Sequence, residues 1–108
     1  MDVNEIRNYM AKVYELETEL VEKLFKAGVA STEELITSIE NCVQTGKVSD
    51  ILSKFHTLKN NFASMGLEEL REYAAQAEKA LKNKEQIDFK ELIRKIKANW
   101  DQIINRFD

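Results

Sequence analysis

The sequence has no proline, three glycines, one cysteine and one histidine. Without proline and with so little glycine, few positions interrupt a helix. A lone cysteine, Cys42, excludes an internal disulfide. It falls at apolar spacing and reads as a small buried hydrophobe. One histidine and one cysteine, far from ligand spacing, exclude a zinc centre. No Gly-rich phosphate loop is present. No basic stripe marks a nucleic-acid binder: the net charge is −3, and lysines and arginines alternate with acids as on a solvated helix face. No apolar run approaches a membrane span and no leader-like segment opens the chain, so a cytoplasmic protein that does not engage membrane is expected.

What remains is a helix former's composition. The chain has 108 residues, 44% hydrophobic and 32% charged, enough for one core and too apolar for disorder. Residues 1–108 are read as a single domain, and Met1 with the short length favours a free-standing module. Monomer is the default expectation.

Apolar residues recur at helical steps. Val3, Ile6, Met10 and Val13 begin a stripe that continues through Leu16, Leu20, Val21, Leu24 and Phe25 with no breaker between. Around Gly28 two outcomes stay open. Gly28 can sit just past a helix end, with Ser31 and Glu34 as a capping box for the next helix; or one helix passes through. Leu35, Ile36, Ile39, Cys42 and Val43 keep the period in either case. Thr45-Gly46-Lys47 is a stop, and Ser49 or Asp50 can cap the next helix.

That helix carries Ile51, Phe55, Leu58, Phe62 and Met65 and ends at Gly66. Leu67, Leu70, Tyr73, Ala74, Ala77 and Leu81 form another, closed by the polar Lys82–Glu85 turn. Phe89, Leu92, Ile93, Ile96, Trp100, Ile103, Ile104 and Phe107 form the last. Four substantial helices with short connections predict an all-α antiparallel up-down four-helix bundle, with an additional N-terminal helix over one end. Glu33 with Glu34, and Glu68 with Glu69, read as helix-start acids serving the helix dipole rather than acid–base chemistry.

His56 is the remaining chemical group. A helix turns about 100° per residue, which places His56 roughly 140° from the centre of the Ile51–Met65 stripe, toward solvent. Leu52 and Ala63 share its face, with Lys59 and Asn60 one turn on. An exposed histidine on a polar face ordinarily has no role. Against that stand the apolar flank of Leu52 and Ala63, which suits docking, and Lys59, placed to meet charge added to the ring.

His56-Thr57-Leu58-Lys59, then Ala63-Ser64-Met65-Gly66-Leu67 and Leu70, resembles the signature of histidine phosphotransfer (HPt) domains. Ala77-Glu78 approximates a later Leu-Glu-like pair, and the likeness runs from about Leu16 to the C-terminus. The resemblance implies a four-helix bundle presenting His56 as phosphoryl acceptor, Lys59 as the cation that stabilises the phosphoryl group, and Glu78 orienting the ring. Leu52, Asn60 and Ala63 would meet the partner. The partners implied are a response regulator's receiver domain and a sensor histidine kinase. No cofactor or metal is expected on this chain, Mg²⁺ being expected on the receiver. Such a chain is a phosphoryl carrier rather than an autonomous enzyme. A neutral imidazole, ordinarily titrating near pH ~6.5, has the lone pair this needs.

One departure stands at the site. The family's pattern has Gly after the lysine; here it is Asn60, with Asn61 and Phe62 next, where small residues are common. Asn60 therefore motivates a second reading, an inactive scaffold that binds a receiver or kinase without transfer. A third is an unrelated helical adaptor in which His56 is incidental.

Overall fold

The computed structural model describes residues 2–45 and 50–104, and these form five helices: α1 Val3–Tyr14, α2 Thr18–Thr45, α3 Ile51–Ser64, α4 Glu68–Lys82 and α5 Phe89–Ile104. No strand occurs among the described residues. Gly46, Lys47, Ser49 and Phe107 lie outside them.

α2 packs on α3, α3 on α4, α4 on α5, and α5 back on α2, closing a four-helix ring; α1 packs against α2. The all-α bundle with its extra N-terminal helix is thus the observed architecture. Its core is built from the expected stripes. Ile51, Phe55, Leu58, Phe62 and Met65 of the α3 stripe are all buried, facing Leu70, Ala74 and Ala77 of α4 and Leu92, Ile96 and Trp100 of α5. Phe62 and Trp100 meet with ring centroids 6.1 Å apart. Cys42 is half-buried at the margin of the same core.

The first break in the chain has no breaker residue. α1 ends at Glu15, which adopts a left-handed φ of 52°, and the Leu16 amide donates back to the Ala11 carbonyl. A non-glycine residue in this region is uncommon, so the turn carries no sequence signal. Placing it there moves several residues off the core. Val21 and Phe25 are buried, but Val13, Leu20 and Leu24 of the same stripe stand about half exposed, at 47–51%, as does Tyr14, which lies off the stripe, at 43%. Leu20 and Leu24 each precede a buried residue by one position, about 100° around the helix.

At Gly28 the helix continues. α2 is one helix of 28 residues, about 42 Å long at 1.5 Å per residue. Ser31 and Glu34 therefore cap nothing, and Glu33 and Glu34 lie mid-helix instead of at a start. Glu68 and Glu69 do occupy the first turn of α4. Elsewhere caps are local. Asp2 accepts from the Glu5 amide at 2.8 Å and Asp88 from the Glu91 amide at 3.1 Å, whereas Asp50 flanks α3 without a side-chain cap bond.

The α3–α4 turn sets the register between the two helices it joins. Gly66 has φ +74°; its amide donates to the Ala63 carbonyl at 3.1 Å, and the Leu67 amide donates to Phe62 at 2.9 Å. This is a Schellman closure. The Tyr9 ring of α1 lies directly over it, so a Cβ at residue 66 would come within 2.8 Å of Tyr9 Cγ. A Cβ at residue 28 would meet only the end of the Met65 side chain, with Sδ at an ordinary 3.7 Å. The two glycines should respond oppositely in urea denaturation. Gly28→Ala is expected to stabilise by about 0.5–1 kcal/mol, and Gly66→Ala to destabilise by about 1–3 kcal/mol.

Candidate functional site

Residues 77 and 78 of α4 split between two duties. Ala74 and Ala77 are fully buried on the stripe facing α3, and their small side chains let the two helices approach closely. Glu78 is one position further round, at the seam, and only 6% exposed. α3 places His56 and Lys59 on the same seam by their three-residue spacing.

Glu78 joins them. Its Oε2 accepts from His56 Nδ1, and its Oε1 accepts from Lys59 Nζ at 2.8 Å. Lys82, one turn along α4, brings a second ammonium to 3.6 Å from Oε1. The carboxyl is held down to about 2 from its ordinary 4.5. The Lys59 hydrogen bond is the main cause, opposed by burial and aided by the His56 hydrogen bond and the charges of Lys59 and Lys82. Glu78 is therefore an anion at neutral pH and can only accept.

That fixes the ring. Facing a carboxylate that has no proton to give, Nδ1 must carry its own. The lone pair of neutral imidazole is then on Nε2. The His56 side chain is 54% exposed, and Nε2 is the nitrogen left for solvent or a partner. Asn60 Nδ2 stands 3.4 Å from Nε2, long for a hydrogen bond but of the right polarity to donate to that lone pair. The Asn60 backbone carbonyl accepts from Ser64 Oγ at 2.9 Å.

Of the residues singled out in the sequence, His56, Lys59, Glu78 and Asn60 therefore form one connected cluster. Leu52 and Ala63 are half-buried on the His56 face of α3. Lys59 is not a free cation, because Glu78 holds it. Lys82 escaped the sequence reading, although Glu78 and Lys82 have the i,i+4 acid-before-base spacing that favours such pairs. No group of metal-ligating side chains occurs among the described residues.

A second feature lies beside the cluster. A groove of about 570 Å³ runs between α1, α2 and the end of α3, lined by Tyr14, Leu16, Leu24, Ala27, Asn61 and Ser64 among others. Tyr14 bridges it, its hydroxyl donating to the Ser64 carbonyl at 3.2 Å. Tyr14 and Leu24, both about half exposed, form one wall. The sequence does not announce this surface, because Leu16 and Leu24 continue an apolar stripe that reads as buried while Tyr14 lies off it.

The site is thus one exposed imidazole on a helical bundle, backed by a nearly buried carboxylate and a lysine. A family model described as Hpt domain matches residues 17–106, most of the chain, and the chain belongs to that family. α1 lies wholly before the matched span. No curated protein and no solved structure matches the chain significantly. Hpt domains serve histidine phosphotransfer in two-component systems, as phosphocarrier modules that interact with receiver domains and kinases. No described helix is long and apolar enough to cross a membrane.

The lowered Glu78 carboxyl makes a stability prediction. Its contribution is fully present above pH 4.5 and is lost as pH falls from 4.5 through about 2. Glu78→Gln removes the titrating group and leaves two lysines unpaired. Thermal unfolding across that window should show the variant less stable than wild type at neutral pH, with a smaller acid-induced loss.

Proposed function

We propose that this chain carries a phosphoryl group on His56 Nε2, accepting it from an aspartyl-phosphate of a receiver domain or from a kinase and passing it to a response regulator. One observation carries the reading: the chain's only histidine has its Nδ1–H bound to a buried, ionised carboxylate, which leaves Nε2 as an outward nucleophile.

In this reading the Nε2 lone pair attacks phosphorus as the bond to the aspartyl oxygen breaks, and the aspartate leaves as a carboxylate. The proton on Nδ1 stays in place, and Glu78 counters the positive charge the ring acquires. Lys59 supplies positive charge to the added phosphoryl oxygens. Such transfer is mostly positioning and charge neutralisation. A convex, exposed histidine meets that need once a receiver's cleft, bringing its Mg²⁺, closes over it. Leu52 and Ala63 would touch the rim of that cleft. The groove of Tyr14, Leu16 and Leu24, reaching Ser64, supports docking on the α1–α2 side, because half-exposed apolar residues gathered at one place gain most from being covered.

The test is transfer from a panel of phosphorylated receivers to the purified chain, read as acid-labile, alkali-stable label. His56→Ala should lose all label; label persisting in that variant refutes the assignment. Glu78→Ala should slow transfer by about tenfold or more, the rate equivalent of a lost hydrogen bond to a charged group at ~1.5 kcal/mol.

The Asn60 contact favours a second reading, a scaffold that binds without transfer, since an amide 3.4 Å from Nε2 stands where it can donate to the attacking lone pair. Asn60→Gly separates the two. A sharp rise in transfer identifies the amide as a block. A rate already fast in wild type and unchanged in the variant removes the scaffold reading.

A further inference from the structure

Glu78 has more cationic partners than its single charge requires. The ammoniums of Lys59 and Lys82 converge on the same oxygen, Oε1, at 2.8 and 3.6 Å. They come from different helices and differ in setting. Lys59, from α3, is hydrogen-bonded and its side chain is 24% exposed; Lys82, from α4, is beyond hydrogen-bond distance and 60% exposed. One is docked and the other stands by in solvent, with room to close.

We propose that Lys82 is the reserve counter-ion of Glu78: when a phosphoryl group is added at Nε2, Lys59 leaves Oε1 for the phosphoryl oxygens and Lys82 closes on Oε1 in its place. The proposal rests on His56 being the acceptor. Its basis is a conflict in the resting geometry. Lys59 is the lysine one turn from His56 on its own helix, and a phosphoryl group brings up to about two negative charges. Yet Lys59 is committed to Glu78. Withdrawing it would strip a buried carboxylate of its closest cation, which is strongly unfavourable. With Lys82 available, Glu78 keeps one close cation while Lys59 pairs with the phosphoryl group. The swap costs little, because Glu78 and Lys82 already occupy adjacent turns in the favourable order. Lys82 is thus a positioning residue: it acts on the phosphoryl group only by releasing Lys59.

Potassium phosphoramidate tests this without a cognate receiver. The Nε2–P bond forms as the phosphoramidate P–N bond breaks, and the nitrogen leaves as ammonia. The phosphohistidine is then titrated by phosphorus NMR, since a cation beside the phosphoryl group lowers its second pKa. Lys82→Met should shift that pKa upward by about half a unit, because Lys59 stays on Glu78. Lys82→Arg should restore it. In a Lys59→Met background, Lys82→Met should add no further shift. Nitrogen spectra of the unphosphorylated ring should keep the Nδ1–H form in Lys82→Met, since Lys59 and Glu78 are undisturbed at rest.

A Lys82→Met titration identical to wild type overturns the exchange. So does an equal shift with and without Lys59, which would mean that Lys82 reaches the phosphoryl group directly. If wild type takes no phosphoryl group at His56, the acceptor reading fails and the exchange fails with it. A phosphorylated wild type with an unresponsive Lys82 variant removes the exchange alone.

Discussion

An ionised carboxylate at the seam between two helices is tolerable only when nearly all its hydrogen-bonding capacity is used. Glu78 meets that condition, and the rest of the site depends on how. One oxygen takes the imidazole and the other takes lysine. The anion fixes the ring's tautomer, anchors Lys59 and ties α3 to α4 at the level of the exposed nitrogen. Removing any one partner leaves charge unbalanced among the others, so the cluster acts as a unit and its members' contributions will not add.

The backbone serves this constraint at a distance. Ala74 and Ala77 let α4 come near enough to α3 for Glu78 to reach the ring. The Gly66 closure sets the register in which they meet. The fifteen residues of α4 thus carry a packing stripe and a chemical edge side by side, one position apart. Neither duty can move without the other, since a shift of one residue turns the helix by about 100°.

Much of this was legible in the sequence. The α3 stripe appears complete, and the exposure of His56 is given by its angle to that stripe. The position of Glu78 came only through family likeness, since nothing in α4's own pattern says which α3 residue an edge glutamate will meet. Three matters were not readable, for physical reasons. The α1–α2 turn is made by Glu15 in a left-handed conformation, which no residue type announced, so the stripe ran through it and Leu20 and Leu24 were counted as core. Gly28 left two outcomes open, because glycine often ends helices yet is tolerated within them; here α2 runs straight through it. The second lysine on Glu78 was written as plain i,i+4 spacing, a pattern too common on solvated helix faces to stand out.

Tyr9 over Gly66 ties α1 to the bundle in a way that constrains descent. A side chain at residue 66 must displace the aromatic ring that occupies that space, at a cost in stability, whereas a smaller residue 9 leaves glycine at 66 undisturbed. Change is therefore least costly in one order: the ring first, the glycine afterwards. Among relatives that keep an N-terminal helix in this place, a large residue at position 9 should occur only alongside glycine at position 66. Chains without the helix remain bound by the left-handed turn alone, a weaker bar that asparagine can pass.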